Sequence, residues 1–391
     1  MTRRTRSQPE RFQQLLTKIQ KIVDSPLREI GRRLQDAVNH VLRAIEDNSN
    51  ALDPSALALD LETMVAILPV SFGDRFLFDS SMILATSEAF STVGLQLNSM
   101  IVPVHGTKWG HESLPMPWND GTQINVVDFI HIPGRDDITT INLLLYPFML
   151  HELGHNLFFR RDAAFCDGFR IELSNIVNEL RLSSIADRGS ARSLALQRIQ
   201  ELETFWTPNP THKNWAHELA IDVLAFWICG PAYLAAYHDE MDQGHIKPFL
   251  ISQTHPPNEV RVFALITLAK QLGWGMYCDG PERLLERWRM SLQDLPTTDR
   301  NRYISLTGRR TIEACVASAV SACRTLRLPQ CTSDTITRLR QMMIRGETPD
   351  FGVELIISAW LVHQENGVEA YATWEPSTVT SLMRFTSYGN P

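Results

Sequence analysis

The sequence INLLLYPFMLHELGHNLFF occupies residues 141–159 and carries the pattern H-E-x-x-H, with His151, Glu152 and His155 at its fixed positions. On a helix the two histidines lie one turn apart on the same face, which is the geometry that a zinc ion requires from its first two ligands. Glu152 would lie beside that face, within reach of a water on the metal. The pattern therefore predicts a metal-dependent hydrolytic site.

The residues around this motif are strongly apolar, so we expect its helix to be buried. Buried histidine and glutamate side chains need partners. Because H-E-x-x-H also occurs by chance, a pair of satisfied core histidines is the alternative interpretation.

Composition narrows the class of protein. A chain of 391 residues with 44% hydrophobic and 21% charged residues is typical of a globular protein with a large core. A net charge of -7 argues against nucleic acid as the main partner.

The most membrane-like stretch, 223–237, is shorter than the ~18 apolar residues of a spanning helix and contains the helix-ending pair Gly230-Pro231. The six cysteines form no C-x-x-C pair. We therefore expect a cytoplasmic protein with free thiols and no transmembrane segment.

Helical periodicity marks an N-terminal hairpin at 9–23 and 25–45, which could pack on the core or contact a partner or another copy of the chain. Further helices are predicted at 57–68 and 80–97, and strands at 100–104 and 124–132. The segment 105–121 has the composition of a loop, in which His105 and His111 are weak candidates for metal ligands. Thr139 or Thr140 could cap the motif helix, and Pro147 should kink it.

Two carboxylates compete for the role of third zinc ligand. Glu179, on a helix predicted from Ile171 onward after a charged turn at 160–167, lies at the distance at which thermolysin-like enzymes keep theirs. Glu218 and Asp222 are four residues apart in the apolar segment that begins at Asn214, so they share one helix face and would repel each other without a cation. Glu218 is the stronger candidate, because zinc and a histidine N–H or an arginine would satisfy this pair. His217 should point elsewhere.

An extended loop, Thr254-His255-Pro256-Pro257, precedes another predicted helix. Arg261 in that helix is the obvious counter-charge for Asp222. His255 could face the site, although either residue could instead be an ordinary surface residue.

Three motifs thus follow one another: HELGH at 151–155, ELAID at 218–222 and THPPNEVR at 254–261. The set resembles the gluzincin zinc metallopeptidases that include the CAAX prenyl-protein endopeptidases and the HtpX-like heat-shock proteases, with their HExxH, ExxxD and HPxxxxR elements. The resemblance covers about residues 124–272. It implies that Glu218 is the third zinc ligand, that Asp222 pairs with Arg261, and that His255 helps to stabilise the transition state. The best-known members are embedded in membranes, so their prenylated or membrane substrates are not carried over to this chain.

The sequence therefore predicts a mainly α protein with a small β-sheet. We expect an N-terminal helical region at 1–70, a zincin-like catalytic domain at 71–280 and a C-terminal helical extension at 281–391, with helices at 312–326, 333–344 and 353–362. His151, His155 and Glu218 would bind Zn²⁺, and Glu152 would act as general base in the hydrolysis of a peptide or protein substrate. His255 would help to stabilise the oxyanion. A non-catalytic zinc-binding or peptide-binding protein, or a structural module with core histidines, is the alternative.

Overall fold

The structure is a computed structural model that describes residues 8–23, 32, 34–36, 38, 39, 42, 73–91, 99–115, 126–134, 138–160, 162–186, 189–208, 214–244 and 246–388. The chain divides into two compact units. One comprises Met1–Ile83 and Gln96–Ile141, and the other comprises Leu84–Leu95 and Asn142–Pro391. The division at residues 70 and 280 made from sequence stays a prediction.

The first unit contains a three-stranded sheet. Its strands are β1 (Ser99–Gly106), β2 (Gly110–Pro115) and β3 (Val126–Pro133), in the order β1-β3-β2. β1 pairs in parallel with the central strand, whereas β2 pairs antiparallel to it. The strands predicted at 100–104 and 124–132 are confirmed by β1 and β3, whose branched and apolar residues suit a buried sheet.

The loop predicted at 105–121 is wrong for its first half, because β2 lies within it. Glycine and proline usually indicate a loop, but an edge strand tolerates both at its ends, and β2 begins at Gly110 and ends at Pro115.

The helices before the sheet agree in part with those predicted from the sequence. The helix predicted at 9–23 is confirmed as α1 (Gln8–Val23). The helix predicted at 80–97 is α2 (Asp74–Ser91), which begins one and a half turns earlier. The helix at 25–45 lies largely outside the described residues, and the helix at 57–68 lies entirely outside them.

The second unit is built from helices. They are α3 (Pro147–Arg160), α4 (Asp162–Ser183), α5 (Ser190–Trp206), α6 (Trp215–Cys229), α7 (Pro231–Met241), α8 (Asn258–Gln271), α9 (Asp279–Ser291), α10 (Thr297–Leu306), α11 (Arg309–Thr325), α12 (Ser333–Ile344) and α13 (Val353–Tyr388). α4 begins inside the segment predicted as a charged turn. The three C-terminal helices predicted from sequence are confirmed by α11, α12 and the start of α13. The sequence did not predict α5, α7, α9 and α10.

α6 is the core of this unit, since all of its residues are buried. A helix that is apolar on every side is stable only when other helices cover it, and α3, α7, α8 and α11 pack against it. Its first turn is capped by Asn214, whose side-chain oxygen accepts a hydrogen bond from the His217 backbone N–H at 3.1 Å. Gly230 ends it with φ at 58°, and Pro231 then begins α7.

α3, the motif helix, begins at Pro147, so this proline does not kink the helix as predicted. Thr139 and Thr140 do not cap it either, because two short 3-10 turns, Ile138–Thr140 and Leu143–Leu145, come first. Proline at the first helical position is favourable, since its missing N–H would have no partner there.

Gly154 lets α3 and α6 approach closely. A Cβ atom at this position would lie 2.8 Å from Ile221 Cγ2 and 2.9 Å from Leu224 Cδ2, which is closer than van der Waals contact permits. The glycine of HELGH therefore has a packing role, and it brings the histidines of one helix towards the carboxylates of the other.

The described elements confirm the predicted fold class, a mainly α protein with a small sheet. In the part of the chain that the structure describes, no helix combines the length and the apolar character needed to cross a membrane.

Candidate metal centre

Two helices bring His151, His155 and Glu218 together. Nε2 of His151 lies 3.3 Å from Oε2 of Glu218, and Nε2 of His155 lies 3.7 Å from Oε1 of the same carboxylate. One atom from each residue can be chosen so that all three lie within 4.8 Å of one another. The three side chains are buried, although Glu218 is 63 positions beyond His155 in the sequence.

The arrangement fits a zinc ion. A tetrahedral zinc separates its ligand atoms by about 3.3 Å, because its bonds to nitrogen and oxygen are about 2.0 to 2.2 Å long. The 3.3 Å distance from His151 to Oε2 of Glu218 matches this value, and the 3.7 Å distance from His155 to Oε1, the other oxygen of the carboxylate, is somewhat longer. Two imidazoles and one carboxylate also form a ligand set found in catalytic zinc sites, in which the fourth position remains open.

Glu218 provides a second reason to expect a cation. Its carboxylate is fully buried, yet neither oxygen accepts a hydrogen bond of normal geometry from the described residues. Burial alone would raise the pKa of Glu218, but the neighbouring His155, His151 and His255 lower it well below its usual range. A buried carboxylate that stays ionised needs a positive charge beside it, either protons on these imidazoles or a metal.

A proton on His151 is one alternative to a metal as the positive charge beside Glu218. Burial alone would lower the pKa of His151, but Asp222 and Glu218 raise it to about 9. At neutral pH His151 and Glu218 therefore form an ion pair in the metal-free site, and a metal would have to displace the proton of His151 in order to bind.

Asp222 holds the other side of the His151 ring. Its Oδ1 lies 2.9 Å from Nδ1 of His151, and Arg261 donates hydrogen bonds of 2.6 Å from Nε and 2.7 Å from Nη2 to the two carboxylate oxygens. Burial alone would raise the pKa of Asp222, but Arg261 and then His151 lower it to about 2. Asp222 is therefore ionised and orients the imidazole, as the carboxylate beside a metal-binding histidine commonly does.

Tyr233 completes this group from α7. Its hydroxyl donates a hydrogen bond of 2.5 Å to Asp222 and lies 3.3 Å from Nδ1 of His151. Burial raises the pKa of Tyr233 well above its usual range, and Asp222 adds to the effect. The hydroxyl therefore remains protonated.

Glu152 and His255 lie beside the three candidate ligands. Oε2 of Glu152 is 3.8 Å from Nε2 of His155, and Nε2 of His255 is 3.6 Å from Oε2 of Glu218. The His255 side chain is 52% exposed, and the loop that carries it is held by a 2.8 Å hydrogen bond from Nε1 of Trp215 to the Ser252 carbonyl. The centre therefore has one solvent-facing imidazole at its rim.

The competitor Glu179 lies elsewhere. Its side chain is 61% exposed and accepts a 2.6 Å hydrogen bond from Arg310. His217 also points away from the centre, as expected for the residue next to a ligand on a helix, and its buried ring packs edge-on against Phe158. Glu218 is thus the carboxylate that the structure brings to the histidines.

The histidines of the sheet are engaged in the first unit. Nε2 of His105 lies 2.8 Å from Asp79, and Nε2 of His111 lies 3.1 Å from Asp128. Among the described residues, His151, His155 and Glu218 form the one group of three or more ligand side chains with this spacing. The six cysteines are buried free thiols, as their spacing predicted.

Gly154 and Tyr233 are the contributors that sequence reasoning missed. Tyr233 follows Asp222 by 11 positions and belongs to another helix, so no helical period links them. The turn at Gly230 is the signal that could have suggested a return of the chain towards Asp222.

No known protein family, curated protein or solved structure matches this chain. The resemblance to gluzincin metallopeptidases therefore depends on the three motifs.

Proposed function

We propose that the protein is a zinc-dependent metallopeptidase of the gluzincin type, an endopeptidase acting on peptide or protein substrates. The observation that carries the proposal is the buried carboxylate of Glu218, which accepts no hydrogen bond of normal geometry from the described part of the chain and faces Nε2 of both motif histidines from a second helix. His151, His155 and Glu218 would hold the zinc.

A zinc ion bound there would supply the positive charge that lowers the pKa of water from about 15.7 to about 7. Glu152 would accept a proton from a water molecule at the centre as the water oxygen attacks the peptide carbonyl carbon. The exposed imidazole of His255 donates a hydrogen bond to the oxygen that becomes negatively charged. Glu152 then gives the proton to the amine nitrogen as the carbon–nitrogen bond breaks. The carboxylate of Glu152 thereby returns to its ionised starting state.

The residues around the centre support this division of roles. Asp222 is engaged by Arg261 and His151, whereas the carboxylate of Glu152 lies 3.8 Å from Nε2 of the candidate ligand His155. His255 is the most exposed of the imidazoles near Glu218 and can therefore meet a substrate from solvent. Within the same proposal the protein acts in a reducing compartment such as the cytoplasm, where its six buried thiols remain free.

A peptide-library cleavage assay with the Glu152→Gln variant tests the proposal. We expect the wild type to cleave peptides, a zinc chelator to stop cleavage and added zinc to restore it. Glu152→Gln should retain zinc while losing about 10²- to 10⁴-fold in rate, since it removes a general base without removing a ligand. Glu179→Gln is the matched control, because it changes an exposed glutamate of the same unit, and it should cleave like the wild type.

The result that would overturn the enzyme proposal is a zinc-loaded wild type that cleaves no peptide in the library. The protein would then be a zinc-binding or peptide-binding protein without turnover.

A further inference from the structure

Tyr233 is a buried residue that links three helices at the candidate metal centre. It lies in the first turn of α7, has no exposed surface, and points its hydroxyl at Asp222 of α6 and at His151 of α3. Its ring packs edge-on against Phe148, with ring centres 5.9 Å apart. The ring is therefore held by a packing contact as well as by the hydrogen bonds of its hydroxyl.

The proton positions in this group follow from the distances. Tyrosine has one hydroxyl proton, and its shortest contact is the 2.5 Å hydrogen bond to Oδ1 of Asp222. The lone pairs of the hydroxyl oxygen are then available to Nδ1 of His151, 3.3 Å away. The proton on Nδ1 consequently has two acceptors, the tyrosine oxygen and Oδ1 of Asp222 at 2.9 Å.

The two acceptors beside Nδ1, the Tyr233 hydroxyl and Asp222, determine which nitrogen of His151 can bind a metal. Nδ1 must carry a proton, so Nε2 is the nitrogen that can present a lone pair, and it is the atom that faces Glu218. Rotation of the ring would break both contacts. Asp222 alone constrains the ring less, because its Oδ1 is shared with Arg261.

We propose that Tyr233 is a positioning residue, whose hydroxyl fixes the ring orientation and the tautomer of His151 for metal binding. The proposal rests on the proposed function in that it requires the centre to bind zinc. Tyr233 touches neither substrate nor metal in this role and acts through the imidazole.

The matched control is Tyr237, one turn further along the same helix. It is also buried, and its hydroxyl donates to Asn258 at 3.3 Å. Tyr237→Phe and Tyr233→Phe each remove one buried hydroxyl from α7 and keep the ring, but only Tyr233→Phe removes a contact to Asp222 and His151.

Zinc affinity, measured by competition with a chromophoric chelator, is the first readout. Tyr233→Phe should weaken zinc binding by roughly tenfold, the lower end of the 10- to 100-fold range for residues that orient a metal ligand, because Asp222 remains. Tyr237→Phe should bind zinc like the wild type. Unchanged affinity in Tyr233→Phe, or an equal loss in both variants, would overturn the positioning role.

A ¹⁵N-histidine NMR spectrum of the zinc-loaded protein is the second readout, and a general loosening of α7 would not reproduce its result. We expect an Nδ1–H resonance for His151 that shifts in Tyr233→Phe and stays in place in Tyr237→Phe. If Tyr233→Phe does not fold, the wild-type spectrum still decides, since the Nδ1 proton must show a cross-relaxation contact to the ring protons of Tyr233. Absence of that contact would contradict the proposal.

The two proposals fail in different ways. A wild type that binds no zinc removes both the metallopeptidase and the positioning role. A wild type that binds zinc, with an affinity and an Nδ1–H resonance that Tyr233→Phe leaves unchanged, removes only the positioning role.

Discussion

Replacing Asp222 with asparagine should expose the cost of leaving Arg261 unpaired in the core. The aspartate side chain has no exposed surface and that of Arg261 is 12% exposed, and they share hydrogen bonds of 2.6 and 2.7 Å. Removing one partner of a buried ion pair costs about 3 to 5 kcal/mol. Because the guanidinium reaches solvent slightly, we expect about 3 kcal/mol, and asparagine adds no cavity term because it has nearly the same shape.

Urea denaturation of chelator-treated protein, followed by tryptophan fluorescence, measures this cost without a contribution from bound metal. In a parallel thermal denaturation experiment, the melting temperature should fall by about 6 to 12 °C, at about 2 to 4 °C per kcal/mol. The double variant Asp222→Asn/Arg261→Met should recover most of the loss, because a buried pair can be replaced by neutral side chains at little cost. The single variant Arg261→Met completes the comparison. A loss below about 1 kcal/mol in Asp222→Asn, or losses in the two single variants that simply add in the double variant, would refute the assignment of Asp222 as an ionised carboxylate held by Arg261.

Three further predictions concern the site and its packing. His255→Ala should retain zinc but lose about 10²- to 10³-fold in kcat, as removal of an oxyanion donor does; a variant that loses zinc instead would make His255 a ligand. Gly154→Ala should destabilise the protein by about 1 to 3 kcal/mol in thermal denaturation, whereas Gly244→Ala, with no atom near the added Cβ, should not; equal stability of the two variants would contradict the close approach of α3 and α6. Zinc affinity should rise with pH up to about 9, where His151 loses its proton in the metal-free site, and then level off; chelator competition between pH 6 and 9 that shows no such rise would be the contrary result.

The part of the centre that sequence could predict is the part encoded by local spacing. His151 and His155 lie one turn apart on a helix, as do Glu218 and Asp222, and a buried carboxylate pair in an apolar helix requires cations whatever the fold. These two facts suffice to propose that the helices meet. The prediction fails where packing decides, because no period in the sequence specifies the approach of two backbones at Gly154 or the return of the chain that places Tyr233 against Asp222.

The errors in the predicted secondary structure also arise where contacts distant in sequence decide the structure. Pro147 was expected to kink the motif helix one turn before His151, but the residues before it form 3-10 turns and the helix begins at Pro147. β2 was hidden by a composition that usually indicates a loop, and its pairing with β3 comes from sequence positions that local patterns do not connect. Secondary-structure type was thus predictable where one period dominates, and boundaries were predicted for α1 and α12 but not for α2 and α4.

Metal analysis of the purified protein after reconstitution with zinc tests the central claim most directly. We predict one zinc ion per chain in the wild type and in Glu179→Ala, and none retained in Glu218→Ala, because Glu218 is the carboxylate that faces both histidines. Zinc lost by Glu179→Ala but kept by Glu218→Ala would contradict the assignment of the third ligand. A wild type that holds no stoichiometric zinc after reconstitution would contradict the metal centre itself.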